Sequence, residues 1–221
     1  MSRSALPRLV AAVLVLSALA AVTGCLPQAG SGSATSATPP SASGTAKDAT
    51  PAPVPGQEPL HTSTFKVTGD ERVKVVTNRG TFVIALYAKD APNTVATFLE
   101  LVSQKFYDGI KFHRVEPGFV VQAGDPQTKD PNADKQLYGT GGPGFRLKAE
   151  FNNHKHVLGS VAMARTQDPD SAGSQFYITL GPQPMLDGQY TVFGQVVSGI
   201  DVVKSTKVGD TIVSMTIVHG K

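Results

Sequence analysis

The chain has 221 residues, 40% hydrophobic and 17% charged, an ordinary balance for one globular domain with additional segments. Its formal net charge is +3, but residues 1–24 hold Arg3 and Arg8 and no acid, and without them 18 basic groups face 17 acidic ones. A near-neutral remainder gives no reason to expect a nucleic-acid partner, and the isoelectric point of about 9.0 adds little.

Arg3 and Arg8 precede an apolar run from Leu9 to Ala21, interrupted only by Ser17, and small residues follow. The run is short of the roughly 20 residues that a membrane span needs, and it has the length of a signal-peptide core. Cys25, the only cysteine, follows Val22-Thr23-Gly24 and resembles the bacterial lipobox, whose cysteine is lipidated and becomes the first mature residue. Residues 1–24 are therefore expected to be a lipoprotein signal peptide and Cys25 a lipid anchor, placing the protein outside the cytoplasm on a bacterial membrane. A lone cysteine forms no intramolecular disulfide.

Between Leu26 and Leu60, 27 of 35 residues are Ser, Ala, Thr, Pro or Gly and none is aromatic. Such a composition buries too little apolar surface to offset ordering entropy, so residues 25–64 are expected to be a disordered tether. As a flexible coil it reaches on the order of 30–35 Å.

Foldable sequence runs from Phe65 to Lys221. Arg72–Thr77 and Thr81–Tyr87 alternate apolar and polar residues around Asn78-Arg79-Gly80, a hairpin signal. Pro92 opens a helix with Val95, Phe98, Leu99 and Val102 on one face, and Asp108-Gly109 is expected to end that segment. Six short β-like runs follow at 111–115, 119–123, 157–164, 175–180, 192–197 and 211–219, separated by Gly- and Pro-rich loops. Many short strands with few helices suggest a closed antiparallel barrel.

Some motifs point elsewhere on first inspection. Gly139 to Gly144 fits G-x-G-x-x-G, but Pro143 interrupts it and no amphipathic helix follows, so a loop that needs glycine dihedrals is the better reading. His154 and His156 lack a third ligand of suitable type and read as solvated loop residues rather than a metal site. Asp168-Pro169-Asp170-Ser171 lacks calcium-loop spacing, and there is no G-x-S-x-G nucleophile elbow.

The informative stretch is Phe112-His113-Arg114 through Phe119, Gln122 and Gly124-Asp125. It resembles the cyclophilin signature F-H-R-x-x-x-x-F-x-x-Q-x-G-D. Gly173-Ser174-Gln175-Phe176-Tyr177-Ile178 resembles the family's G-S-Q-F-F-I strand, and Leu186-Asp187-Gly188 with Val192-Phe193-Gly194 resembles its L-D-G-x-x-x-V-F-G block. The resemblance covers about residues 70–219. It implies a mainly β fold, a closed eight-stranded antiparallel cyclophilin-like barrel with two flanking helices, and peptidyl-prolyl cis-trans isomerase activity.

Rotation about an X-Pro bond passes through a state without C–N double-bond character, against a barrier of about 18–20 kcal/mol. No covalent bond is made or broken, so neither nucleophile, metal nor cofactor is implied. A fixed donor aimed at the twisted amide and an apolar pocket for the ring are sufficient, and arginine suits the donor role because it stays charged and presents a rigid fork. By resemblance Arg114 is that donor, with Phe119 and Gln122 completing the catalytic set. Val120, Tyr177 and Leu186 line the proline pocket, while Gly139, Ala162, Ala164 and Gln175 border the groove for preceding residues. Met185 and Tyr190 stand where the family often has Trp and His, and Val120 and Met163 stand where it often has Met and Asn. Loss of the indole N–H and contact surface is expected to weaken cyclosporin binding. The expected partners are proline-containing segments of exported proteins and, through Cys25, a membrane. The domain is expected to be monomeric.

Overall fold

The computed structural model describes residues 58–220; the expected signal peptide, Cys25 and most of the expected tether lie outside them. The alternation in Glu71–Thr77 (β1) and Gly80–Leu86 (β2) makes a hairpin in which Thr77 pairs with Gly80 across Asn78-Arg79. Helix α1, Pro92–Ser103, follows, then β3 (Arg114–Glu116), β4 (Val120–Ala123), β5 (Ser160–Met163), β6 (Phe176–Thr179), β7 (Val192–Ser198), α2 (Ile200–Ser205) and β8 (Ile212–His219). Among the described residues the strands form one eight-stranded sheet in the order β3-β4-β6-β5-β7-β2-β1-β8, and every pairing is antiparallel. The sheet curls so that its two ends meet. An antiparallel bridge, Lys111 to Thr211, and backbone bonds of 2.8 Å from Gly109 to Ile212 and from Phe112 to Asp210 join the chain entering β3 to the chain entering β8.

Inside the curl, α1 buries Val95, Phe98, Leu99 and Val102, the face read from the spacing. Phe98 packs against Tyr107, Phe176 and Phe193 with ring centroids 5.0–5.7 Å apart. No side chain at the helix start caps it. The Glu150 carboxylate, from a distant loop, accepts from the Asn93 and Thr94 N–H groups at 3.0 and 2.7 Å, satisfying donors that a first turn leaves free.

The helix ends earlier than expected, because Lys105 rather than a glycine takes the left-handed conformation, with φ 56°. The Phe106 N–H reaches the Leu101 carbonyl at 2.9 Å and the Lys105 N–H reaches that of Val102 at 3.0 Å, a Schellman closure without glycine. Glycine is required at Gly199, with φ 78°, where a Cβ would collide with the Thr81 carbonyl. Gly199 joins β7 directly to α2, whose Val202 faces Gly80 of the β1–β2 hairpin.

Packing extends upstream of Phe65. The Arg146 N–H donates to the Pro59 carbonyl at 2.9 Å and the His61 N–H to the Arg146 carbonyl at 2.8 Å, while the His61 ring stacks on Phe145 at 4.2 Å. No helix among the described residues is long and apolar enough to cross a membrane.

Asp210 clasps the seam. Its carboxylate accepts from the Arg79 guanidinium, from Asn78 Nδ2 at 2.9 Å and from the Lys207 N–H at 2.6 Å. Burial alone would raise its carboxyl, but these donors outweigh burial and hold it below the ordinary range. A carboxyl whose folded value lies below an unfolded value of about 3.9 stabilises the fold at neutral pH and loses that contribution as pH falls through the lowered range. Asp210→Asn is expected to cost about 1–3 kcal/mol at neutral pH and to flatten the acid limb of stability, as read from urea titrations at neutral and acid pH.

Candidate active site

Alternation along each strand divides the sheet into two faces. Val121, Ala123, Val161, Met163, Phe176, Ile178 and Phe193 enter the large core under α1. Their neighbours Val120, Ala162, Tyr177 and Val192 form a second apolar cluster on the opposite face, joined by Phe119, Ala164, Leu186 and Tyr190. The pairing register lines up one row on that face: Arg114 opposite Gln122, Gln122 opposite Tyr177, Tyr177 opposite Ala162, Ala162 opposite Val192. Directly paired residues share a face, so this row carries one guanidinium, one amide and an apolar floor across five strands. Met163 belongs to the core, so its departure from the family pattern puts no methionine side chain in the groove.

A cavity of about 390 Å³ opens over this row, walled by Arg114, Phe119, Val120, Tyr177, Leu186 and Tyr190 among others. The Arg114 Nε and Nη2 lie 2.8 and 2.7 Å from Glu116 Oε1, and Nη1 donates to Gln122 Oε1 at 3.3 Å. Its Cζ stands 5.7 Å from the centre of the Phe119 ring. With five N–H donors in the fork, one on each terminal nitrogen is left for a ligand.

Gln122 is held in turn. Its Nε2 donates to Gln175 Oε1 at 3.0 Å, and Gln175 Nε2 donates to the Gly139 and Gly141 carbonyls at 2.9 and 2.8 Å. Those glycines belong to the G-x-G-x-x-G stretch. The Gly139 and Gly141 N–H groups bind Asp125 Oδ2 at 2.6 and 3.2 Å, so the loop cradles the protein's own buried carboxylate. Gly124, with φ 105°, lets β4 approach Ser174 and Gln175 where a Cβ would collide with the Ser174 carbonyl.

Of the residues expected at the site, Arg114, Phe119, Val120, Gln122, Gly139, Ala164, Tyr177, Leu186 and Tyr190 wall this cavity. Gln175 lines a second cavity alongside. Ala162 is fully buried beneath the floor, and Met185 is 67% exposed and lines neither cavity. His113, Tyr138 and Arg165 also line the first cavity without having been singled out from the sequence. Burial pushes the His113 imidazole below its ordinary range, against the upward pull of Asp125 and with a further push from Arg114.

The reading of His156 as a solvated loop residue is corrected. Its side chain is buried, with Nδ1 3.1 Å from Asp187 Oδ1 and Nε2 2.9 Å from the Tyr177 hydroxyl. A carboxylate only accepts, so Nδ1 carries the proton, and in the neutral ring Nε2 then accepts from Tyr177. The His156 backbone N–H, and then its ring, hold the Asp187 carboxyl below its ordinary value. His154 instead stacks on Tyr87 at 3.8 Å and meets Asp90 at 2.9 Å. Among the described residues no three His, Cys, Asp or Glu side chains converge as metal ligands.

Residues 72–219 match the profile of the family described as cyclophilin type peptidyl-prolyl cis-trans isomerase/CLD. The chain belongs to the cyclophilins. It is 43% identical over 144 residues to a peptidyl-prolyl cis-trans isomerase of Synechococcus elongatus, covering 64% of this chain and 92% of the relative. Over 127 residues it is 46% identical to peptidyl-prolyl cis-trans isomerase B of Bacillus subtilis, covering 57% and 82%. A crystal structure of a cyclophilin type isomerase from Cryptosporidium parvum superimposes with a TM-score of 0.60 at 25% identity, covering 68% of this chain and 99% of that one. The same parasite protein solved in the presence of the dipeptide Ala-Pro gives a TM-score of 0.59 at 26% identity, covering 67% and 99%. The chain is thus a cyclophilin-type peptidyl-prolyl cis-trans isomerase. Where the cyclophilin strand pattern carries Phe, this chain carries Tyr177, and His156, held by Asp187, satisfies the added hydroxyl.

Tyr177→Phe removes the partner of His156 Nε2 while keeping a ring against Leu186. It is expected to lower unfolding free energy by about 1–3 kcal/mol in chemical denaturation, the penalty for a buried acceptor left unpaired.

Proposed function

We propose that Arg114 is the electrostatic catalyst of prolyl isomerisation and that the cavity beside it holds the proline ring. The observation that carries this is a guanidinium with two free N–H groups standing over an apolar floor. Glu116 and Gln122 engage its other donors and fix its plane. Phe119, Val120, Leu186 and Tyr177 take the ring. As the X-Pro bond twists, its carbonyl leaves conjugation and its nitrogen becomes amine-like, and a preorganised donor lowers the barrier by several kcal/mol. Gln122 positions Arg114 and presents its amide to the substrate backbone. No group is transferred, so product leaves as the rotated conformer of the same chain.

Proline-containing segments of exported proteins are the substrates in this reading, and the leader with Cys25 is its support. In an extracytoplasmic setting uncatalysed isomerisation takes tens of seconds, slow enough to limit folding. The tether then keeps the domain near the membrane through which its substrates emerge.

Two measurements test the reading. Arg114→Ala is expected to reduce kcat/KM on a short X-Pro peptide by roughly 10²–10³-fold, and an unchanged rate would remove Arg114 from the mechanism. Cys25→Ser is expected to move the protein from the detergent phase to the aqueous phase of a bacterial extract, and recovery of both forms in the aqueous phase would exclude the anchor.

A further inference from the structure

The first cavity is not isolated. A second, of about 500 Å³, adjoins it, and the two share Gln122, Gly139, Ala164 and Arg165. Its far wall includes Glu58, which lies upstream of residues 72–219, so the family-matched domain alone does not complete it.

The geometry of an extended chain decides what enters it. Side chains alternate between faces and advance about 3.3 Å per residue. A proline ring directed into the first cavity leaves the residue before it facing away, and the residue two before it points down again, about 6.6 Å further along. The resemblance to the cyclophilins puts the residues before the proline on the Gln175 and Ala164 side of the groove, where the second cavity lies.

The charges there are unevenly paired. Arg146 Nη1 is 3.2 Å from Asp168 Oδ2, and Arg114 is paired with Glu116. Arg165, at the junction, forms no ion pair among the described residues. Its Nε and Nη2 donate to the Gln189 carbonyl at 3.0 and 2.8 Å and its Nη1 to that of Thr166 at 2.8 Å. Its Nη1 also reaches the Gln167 carbonyl at 3.4 Å, and the guanidinium lies 4.6 Å over the Tyr190 ring, which together fix its plane and leave one N–H group, on Nη2, free. Glu58, on the opposite wall beside Gly142, is likewise without an ion partner among the described residues.

With the second cavity taking the residues before the proline, we propose that Arg165 gives it a preference for an acidic over a basic side chain two positions before the proline. Arg165 is the nearer charge because it belongs to both cavities, whereas Glu58 lines only the second and opposes the preference from a distance. The proposal rests on the isomerase reading of the first cavity and adds its substrate class: segments of the form acidic-X-Pro.

The test is cis/trans exchange, followed by NMR, of three peptides, acetyl-Glu-Ala-Pro-Phe-amide and its Gln and Lys counterparts, with the full chain. The quantity read is the ratio of kcat/KM for the Glu peptide to that for the Lys peptide, which cancels any loss of folded enzyme in a variant. The intact protein is expected to favour the Glu peptide about fivefold. Arg165→Gln is expected to bring the ratio to about one or below, Arg165→Lys to keep part of it, and Glu58→Gln to raise it. A ratio of one in the intact protein, or one unmoved by Arg165→Gln, would overturn the selectivity while leaving the isomerase standing. No acceleration of any peptide would overturn the isomerase reading and this proposal with it.

Discussion

Everything at the groove depends on strand register. Arg114, Gln122, Tyr177, Ala162 and Val192 lie opposite one another across β3, β4, β6, β5 and β7, and their sequence neighbours fill the core. Because side chains alternate with a period of two, a slip of one residue would send Arg114 and Gln122 inward and turn Phe176 and Ile178 out to water. The cost of burying those polar groups and exposing that apolar set enforces the register. The same hydrophobic force that folds the sheet therefore places Arg114 and Gln122 on the groove face.

Position within that register is refined by a hydrogen-bonded relay. Arg114 bonds to Gln122, Gln122 to Gln175, Gln175 to the carbonyls of Gly139 and Gly141, and the N–H groups of those glycines to Asp125. The relay ends on a carboxylate that is fully buried. A buried charge is tolerable only when it is hydrogen-bonded, so the loop cannot leave Asp125 without a large penalty. An exposed guanidinium at one end is thereby tied to the least movable group at the other.

Much of this was legible in sequence. The hairpin at Asn78-Arg79, the apolar face of α1 and the number of strands follow from period and turn residues, because each is a local property, although β3 begins at Arg114 rather than at Lys111. The signature blocks marked Arg114, Phe119 and Gln122 as a group, and the structure brings their side chains to one cavity. What escaped was nonlocal. Nothing near Pro92 signals that Glu150 caps its helix, and nothing in Phe106-Tyr107 announces that Lys105 adopts the conformation usually left to glycine. His156 looked like a loop residue because its partners, Tyr177 and Asp187, are 21 and 31 positions away. One local clue to that pairing did exist: a tyrosine inside an otherwise apolar strand brings a hydroxyl that burial obliges something to satisfy.

The two arginines at the groove show why exposure alone does not define a role. Arg114 keeps two N–H groups free and Arg165 one, and both are fixed in plane by other bonds. Arg114 is held by a carboxylate and an amide, which leaves its charge largely compensated at rest and its donors aimed over the apolar floor. Such an arrangement suits an amide, a neutral group whose polarity changes as it twists. Arg165 is held by backbone carbonyls and an aromatic face, neither of which carries a full negative charge. Its field therefore extends into the second cavity, where a fixed substrate charge would feel it. In the proposed reading, one guanidinium follows a change in polarity during rotation, and the other distinguishes one substrate from another before rotation begins.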